Sequence, residues 1–487
     1  MSPVLQAALA SWAVPWVPTI AIVFTALIYL RGWYLLRCAG FPLTPRWRVV
    51  AFFSGLLALW VALAGPMDVF NAWLLTAHML QHMMLMMIAP PLILLGDPLI
   101  PLVRGMPVFA AREFAGPFLN WKPAQRLGRT VTHPVFALVL MGIVMLGWHV
   151  PALYELAVRS PSWHQFEHAC FLVASLIFWW PVIQPWPSHS QWPRWAMVPY
   201  LVIADLQNTV LSAALVFADR VLYPSYADAP RVFGLTASQD QAAAGAIMWV
   251  VGSAAFLIPA MLIAVQCLSR RNVAAPPRLT KREPLLAGEW QRLAASFGMT
   301  ARTAEAISFI ALLLAVGLAF TAALAFSGSD DDALVLRAKQ QVGSLVVSAY
   351  SPGDVVVGPN DIAFLLQRAN GEPVLDTRVE LSFSAPGHED ERKSSDGDSD
   401  NKLMQSVSVD LPRAGEWLLH INVPNGDQRG SFAVPVQAIV HESGFEDWWP
   451  YFVFPMFSLL LLAVYLRRGQ PRRSIEHEGE KHAVAAR

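Results

Sequence analysis

His78 and His82 stand four residues apart in AHMLQHMMLMM, and His164 and His168 stand four apart in SWHQFEHAC. On a helix that spacing puts both imidazoles of a pair on one face, one turn apart. Two ligands can then converge on a single metal ion. A fifth histidine, His149, stands in GWHVP, just before a proline that should end its helix. Imidazole suits zinc, copper, iron and nickel, whereas thioether sulfur is soft and favours Cu(I). Met79, Met83, Met84, Met86 and Met87 surround the first pair, and Met141 and Met145 precede His149. A methionine in an apolar core is by default a gap filler. The clustering of Met79 and Met83 with the histidines still tilts the expected metal toward copper. Cys170, two residues beyond His168, turns to another face and is read as packing.

These residues need elements to position them, and the composition says what kind. Of 487 residues 55% are hydrophobic and only 14% are charged, too little polar material to cover a water-soluble surface of that size. Mean hydropathy is +0.43, so lipid is the expected solvent. Net charge is zero, which excludes the basic excess that nucleic-acid binding needs. A spanning helix requires about 20 apolar residues. Nine segments qualify, at approximately 16–37, 47–65, 71–95, 131–150, 163–184, 195–218, 240–267, 304–326 and 448–466. The start, MSPVLQAALASW, lacks a basic region, so the first run is read as a retained span and not a cleaved signal.

Loop charges orient the spans. Arg37, Arg46 and Arg48 follow the first; Arg104, Arg112, Lys122, Arg126 and Arg129 follow the third; Arg270, Arg271, Arg278, Lys281, Arg282, Arg292 and Arg302 follow the seventh; Arg467, Arg468, Arg472 and Arg473 follow the ninth. The alternate loops, PMDVF at 66–70 and PALYELAVRSPS at 151–162, are poor in Lys and Arg. With nine spans every basic segment falls on the cytoplasmic side, leaving the N-terminus outside and the C-terminus inside. At about 1.5 Å per residue, His78 then lies about 10 Å below the outer surface and His82 one turn deeper. His149 ends an outward span, and His164 and His168 begin an inward one. All five histidines are expected at one level near the outer face. Asp240 and Gln241 open the seventh span at that level, and Asp240 is counted as a further candidate ligand. Asp205, Gln207 and Asn208 lie midway along the sixth span, where polar groups are costly and face a bundle interior or a cavity. His133 and His189 fall on the cytoplasmic side and His477 and His482 in a charged tail, so none of the four is a candidate.

Residues 327–447 differ in kind. GSLVVSAYSP, VVVGPNDIAFLLQRANG, TRVELSFSAPG, MQSVSVDLPRAGEWLLHINVPNG and RGSFAVPVQAIV alternate apolar and polar residues between turns. That pattern predicts a small extracytoplasmic β-sandwich. The insert HEDERKSSDGDSDNK reads as a surface loop. His388, His420 and His441 are scattered, so this domain is read as a docking module and not a metal site. It contains no cysteine; Cys38, Cys170 and Cys267 belong to the apolar segments. The expected organisation is a seven-helix membrane domain (1–267), a basic cytoplasmic linker (268–303), an eighth span (304–326), the β-domain (327–447), a ninth span (448–466) and a charged cytoplasmic tail (467–487).

HMLQHMMLMMIAPPLILLGDP, GWHVPALYELAV, HQFEHACFLVASLIFWWPVIQP and DQAAAGAIMWVVGS, four motifs in order over about residues 15–267, resemble the CtaG family of seven-span cytochrome c oxidase assembly factors. The resemblance implies a bacterial inner-membrane protein that supplies or inserts copper for the oxidase. Its partners would be oxidase subunits, periplasmic copper donors and the lipid bilayer. The matching positions are His78, His82, His149, His164, His168, Asp240 and Gln241; Ala242 stands where the family carries a further polar residue. The added β-domain is loosely similar to YtkA-like periplasmic modules. No nucleophile–base constellation, phosphate loop or nucleotide fingerprint is present, so no catalytic turnover is expected. Two alternatives stand beside the assembly factor. One is a membrane haem protein, although an i,i+4 pair cannot supply both axial ligands of one iron. The other is a copper transporter, which Asp205 at mid-depth suggests.

Overall fold

The computed structural model describes residues 2–38, 45–106, 128, 130–185, 192–271, 335–353, 355–385, 388–395, 399–425 and 428–440. The helices are α1 (Pro3–Leu9), α2 (Trp16–Cys38), α3 (Arg46–Ala64), α4 (Pro66–Phe70), α5 (Leu75–Met83), α6 (Ala89–Leu95), α7 (Leu99–Gly105), α8 (Pro134–Trp148), α9 (Pro151–Arg159), α10 (Pro161–Ile183), α11 (Met197–Val216), α12 (Pro224–Asp228) and α13 (Ala237–Arg271). Among the described residues six helical stretches are long and apolar enough to cross a membrane. They become seven if α8 and α9, bent by 71° at their junction, count as one span. These seven coincide with the first seven apolar segments of the sequence, and the chain is a membrane protein. The expected spans at 304–326 and 448–466, most of the 268–303 linker and the 467–487 tail lie outside the described residues.

Two breaks differ from the sequence expectation, and proline explains both. The third span is interrupted by a π-helical stretch, Met84–Ile88, before α6. Pro90 has no N–H, so it cannot donate to the carbonyl of Met86 four residues earlier. The indole Nε1–H of Trp179 donates to that carbonyl instead, at 3.0 Å. Such π-segments cluster at functional sites, and this one begins two residues after His82. In the second break, Pro151 disfavours helical geometry at Val150. The segment expected to be a loop at 151–162 restarts as α9, with Tyr154 and Ala157 buried. Elsewhere the bundle closes through glycine: a Cβ on Gly32 would lie 1.7 Å from the Pro101 carbonyl oxygen, and one on Gly105 would lie 1.9 Å from that of Ile28. α2 and α7 can therefore approach backbone to backbone.

The C-terminal region forms two sheets, one ordered β1-β2-β4-β7 and the other β3-β9-β8-β5-β6. Their strands are β1 (Val335–Val342), β2 (Leu345–Ser351), β3 (Val355–Val356), β4 (Gly358–Arg368), β5 (Glu380–Ala385), β6 (His388–Ser394), β7 (Gln405–Leu411), β8 (Gly415–Asn425) and β9 (Gln428–Ile439). One buried cluster takes Val347, Phe364 and Val407 from the first sheet and Leu381, Trp417, Ile421 and Val434 from the second. The charged insert is not all loop, because its first half is β6, paired antiparallel with β5. A charged strand at a sheet edge resists further pairing, which explains why loop-like composition occurs there.

The β-region and the bundle lie in one compact unit, Met1–His441. Ala8 of α1, Phe70, Trp73 and Val232 are buried together with Tyr350, Ala363, Leu365, Leu403 and Met404 of the β-region. Trp73 stacks on Tyr350 at 6.4 Å and 30°. Burial pushes the Tyr350 phenol up to about 12, so this contact stays uncharged at physiological pH. The Ser11 hydroxyl accepts from the Lys402 backbone N–H at 2.9 Å.

Candidate metal centre

The two histidine pairs face each other across the α5–α10 packing. Ring centroids lie 4.3 Å apart for His78–His82, 5.5 Å for His82–His168, 4.1 Å for His164–His168 and 5.0 Å for His78–His164, a closed quadrilateral of imidazoles. Against it stands Glu167, fully buried. Its Oε2 is 3.7 Å from His78 Nε2 and 3.8 Å from His82 Nε2. One donor atom from each of His78, His82, His164 and Glu167 lies within 4.8 Å of all the others. Reading the histidine pairs alone misses Glu167. The signal was its i,i+3 spacing from His164 in a span-forming helix, where a carboxylate needs a reason.

His149 ends α8 beside this cage. Its ring lies 6.4 Å from that of Phe171, which is 4.6 Å from His82. The Nδ1–H of His149 donates to the Met145 carbonyl at 2.7 Å, a carbonyl left over at the helix terminus. That bond sets the tautomer and leaves Nε2 as an acceptor. His78 Nδ1 lies 3.2 Å from the Tyr226 hydroxyl, which donates to the Asn71 carbonyl at 2.7 Å. A hydrogen bond of this kind on one ring nitrogen, which orients the other, is what metal-ligating histidines carry.

Several polar atoms of these residues have no hydrogen-bond partner. Nε2 of His78, His82, His149, His164 and His168, Nδ1 of His82 and both carboxylate oxygens of Glu167 are buried without a hydrogen bond. A buried polar atom left without a partner costs about 1–3 kcal/mol. The four ligand atoms that do converge, one each from His78, His82, His164 and Glu167, fit a bound cation, with the carboxylate supplying charge and the imidazoles supplying lone pairs.

Three other predicted residues take different places. Met79 and Met83 each follow a histidine by one position, about 100° further round the helix, and both are buried in the bundle's apolar core. Asp240 is not brought into the cage. Its Oδ2 accepts from the Leu75 N–H at 2.7 Å and its Oδ1 from the Thr76 N–H at 3.1 Å. It caps α5, whose own N-cap, Leu74, offers no side-chain acceptor. Asp240→Ala is therefore expected to destabilise the bundle by about 1–2 kcal/mol, seen as a lower unfolding temperature in detergent. Lost metal with unchanged unfolding would instead make it a ligand. Gln241 also bonds backbone, accepting from Leu222 N–H and donating to the Leu215 and Arg220 carbonyls. Asp205 accepts from Ser253 Oγ at 2.7 Å, an interhelical bond.

Residues 27–270, which include every histidine of the cage, match the family described as cytochrome c oxidase caa3 assembly factor (Caa3_CtaG). The chain is 25% identical over 246 residues to an uncharacterized protein of Mycobacterium leprae, covering 50% of this chain and 36% of that protein. It is 28% identical over 199 residues to uncharacterized proteins of Mycobacterium bovis and Mycobacterium tuberculosis, covering 39% of this chain and 29% of each relative. The chain thus spans about a third of the length of these curated relatives. No solved structure matches it.

Proposed function

The chain belongs to the Caa3_CtaG family of cytochrome c oxidase caa3 assembly factors, and from that premise we propose that it holds copper in the imidazole cage and delivers it to an oxidase subunit. The observation that carries this reading is the convergence of His78, His82, His164 and Glu167, whose ligand atoms lie within 4.8 Å of one another, with the His168 ring packed against those of His82 and His164. Copper here is cargo. The nitrogen–oxygen donor set suits Cu(II) at least as well as Cu(I), since Met79 and Met83 pack in the core and a carboxylate is a hard ligand.

The proposed setting is the outer half of a bacterial inner membrane. The chain there has nine spans, its N-terminus outside, and its two sheets folded as a periplasmic sandwich. The basic loops support the orientation, and the shared core of the two sheets supports the sandwich. The β-region packs on Phe70 and Trp73, immediately before the helix that carries His78 and His82. It is the surface on which a copper donor or an oxidase subunit would dock.

Elemental analysis of the purified full chain tests the reading. About one copper per chain is expected after excess metal is removed. Zinc in its place overturns the metal, and a Soret band overturns the cage in favour of haem.

A further inference from the structure

The cage is tied to the β-region by a continuous run of hydrogen bonds. Gln367 of β4 is buried, and its amide donates to the Arg231 carbonyl at 3.0 Å and to the Gly371 carbonyl at 2.8 Å. Both amide hydrogens are used, so this side chain is held in one orientation. The Arg231 guanidinium donates to the carbonyls of Tyr226 and Ala227 at 2.9 and 2.6 Å, which clamps the end of α12. From α12 the Tyr226 side chain reaches inward to His78.

Counting protons fixes the direction of these bonds. The Tyr226 hydroxyl has one proton, and the Asn71 carbonyl at 2.7 Å can only accept it. The Tyr226 oxygen must then be the acceptor toward both neighbours, the Tyr154 hydroxyl at 3.0 Å and His78 Nδ1 at 3.2 Å. On that assignment His78 carries its proton at Nδ1, which leaves Nε2, 3.7 Å from Glu167 Oε2, as the free acceptor. Tyr154 also packs its ring 5.1 Å from that of His78, which fixes the ring plane.

We infer that Tyr226 is the positioning residue of the metal cage and that the β-region holds it in place through Gln367 and Arg231, so that docking of the β-region sets the ligand geometry of His78. The β-region is then a structural part of the cage as well as a surface for partners. This rests on the copper reading only for its consequence in affinity, because the orientation of His78 is a property of the chain itself.

The test uses the full chain in detergent, with Tyr226→Phe, Gln367→Leu and, as a control in the β-region away from this path, Arg337→Gln. Nitrogen-15 NMR of labelled histidine, with the His78 signal identified by its loss in His78→Ala, reads the tautomer without metal. The expected result is Nδ1–H in the wild type and the Arg337→Gln control, a mixed or reversed tautomer in Tyr226→Phe, and a partial shift in Gln367→Leu. Competition titration with copper should show 10- to 100-fold weaker binding for Tyr226→Phe, the usual scale for a lost second-shell bond, and a loss of a few fold for Gln367→Leu. A wild-type His78 protonated at Nε2, or one unmoved by Tyr226→Phe, overturns the positioning role whether or not copper binds. A Gln367→Leu chain identical to wild type in both measurements overturns the coupling to the β-region. A wild type that binds no copper defeats the functional proposal and leaves the tautomer measurement to decide this one.

Discussion

His78→Ala combined with His82→Ala abolishes copper retention and leaves the bundle folded. These two side chains supply two of the four imidazoles that close the cage, and both face the Glu167 carboxylate, at 3.7 and 3.8 Å. A four-ligand protein site with a binding free energy of about 10–16 kcal/mol distributes about 3 kcal/mol to each ligand. Losing two therefore weakens binding by about four orders of magnitude, enough to empty the site during desalting. The fold should survive, because neither imidazole makes a bond that closes a helix end. His78 Nε2 and both ring nitrogens of His82 have no hydrogen-bond partner, so their removal relieves a desolvation cost while opening a cavity. Copper per chain after desalting, with circular dichroism and unfolding temperature alongside, checks both halves. His133→Ala is the control, since that ring packs edge-on against Trp192 at 5.7 Å and takes no part in the cage. A double variant with wild-type copper content ends the proposal.

Much of this site was legible because a helix repeats every 3.6 residues. His78 with His82 and His164 with His168 announce shared faces from spacing alone. The seven apolar runs before residue 270 become helices because lipid permits few other solutions, six of them long and apolar enough to cross a membrane and a seventh if the bent α8–α9 pair is one span. What escaped notice lay across the packing, where spacing carries no information. Asp240 looks like a ligand in a one-dimensional reading and turns out to cap α5, because its partners are 165 and 164 residues away. Tyr226 comes from the short helix α12, 148 residues from His78, and carries no motif that would flag it. Glu167 was in plain sight between two candidate histidines, but a carboxylate on a short polar stretch can as easily face a headgroup. Only the partner helix shows that it points inward. The π-stretch at Met84–Ile88 and the helix α9 both follow from prolines that could be seen, although the way each break is satisfied, as by Trp179, depends on a neighbouring helix.

Glu167→Gln should move copper affinity and stability in opposite directions, which no purely structural role for this residue would do. In the metal-bound chain the carboxylate is the one anionic donor among the clustered groups His78, His82, His164 and Glu167. A unit charge about 4 Å from a cation is worth about 4 kcal/mol at an effective dielectric constant of 20. The amide oxygen of Gln recovers part of that as a dipole, so copper binding is expected to weaken by on the order of 100-fold. Without metal the sign reverses. Both Glu167 oxygens are buried with no hydrogen-bond partner, and they face imidazole nitrogens whose lone pairs are also unpaired. A Gln side chain of nearly the same volume brings two N–H donors to those lone pairs. Satisfying orphaned acceptors stabilises by about 1–3 kcal/mol. The metal-free Glu167→Gln chain should therefore unfold at a higher temperature than the metal-free wild type, and the order should narrow or invert once copper is added. Unfolding curves with and without copper, paired with a competition titration, read both effects. If Glu167→Gln bound copper as tightly as the wild type, the carboxylate would lie outside the ligand set and the cage would be one of imidazoles alone. If it were less stable without metal, the carboxylate would instead have a structural partner in the folded protein.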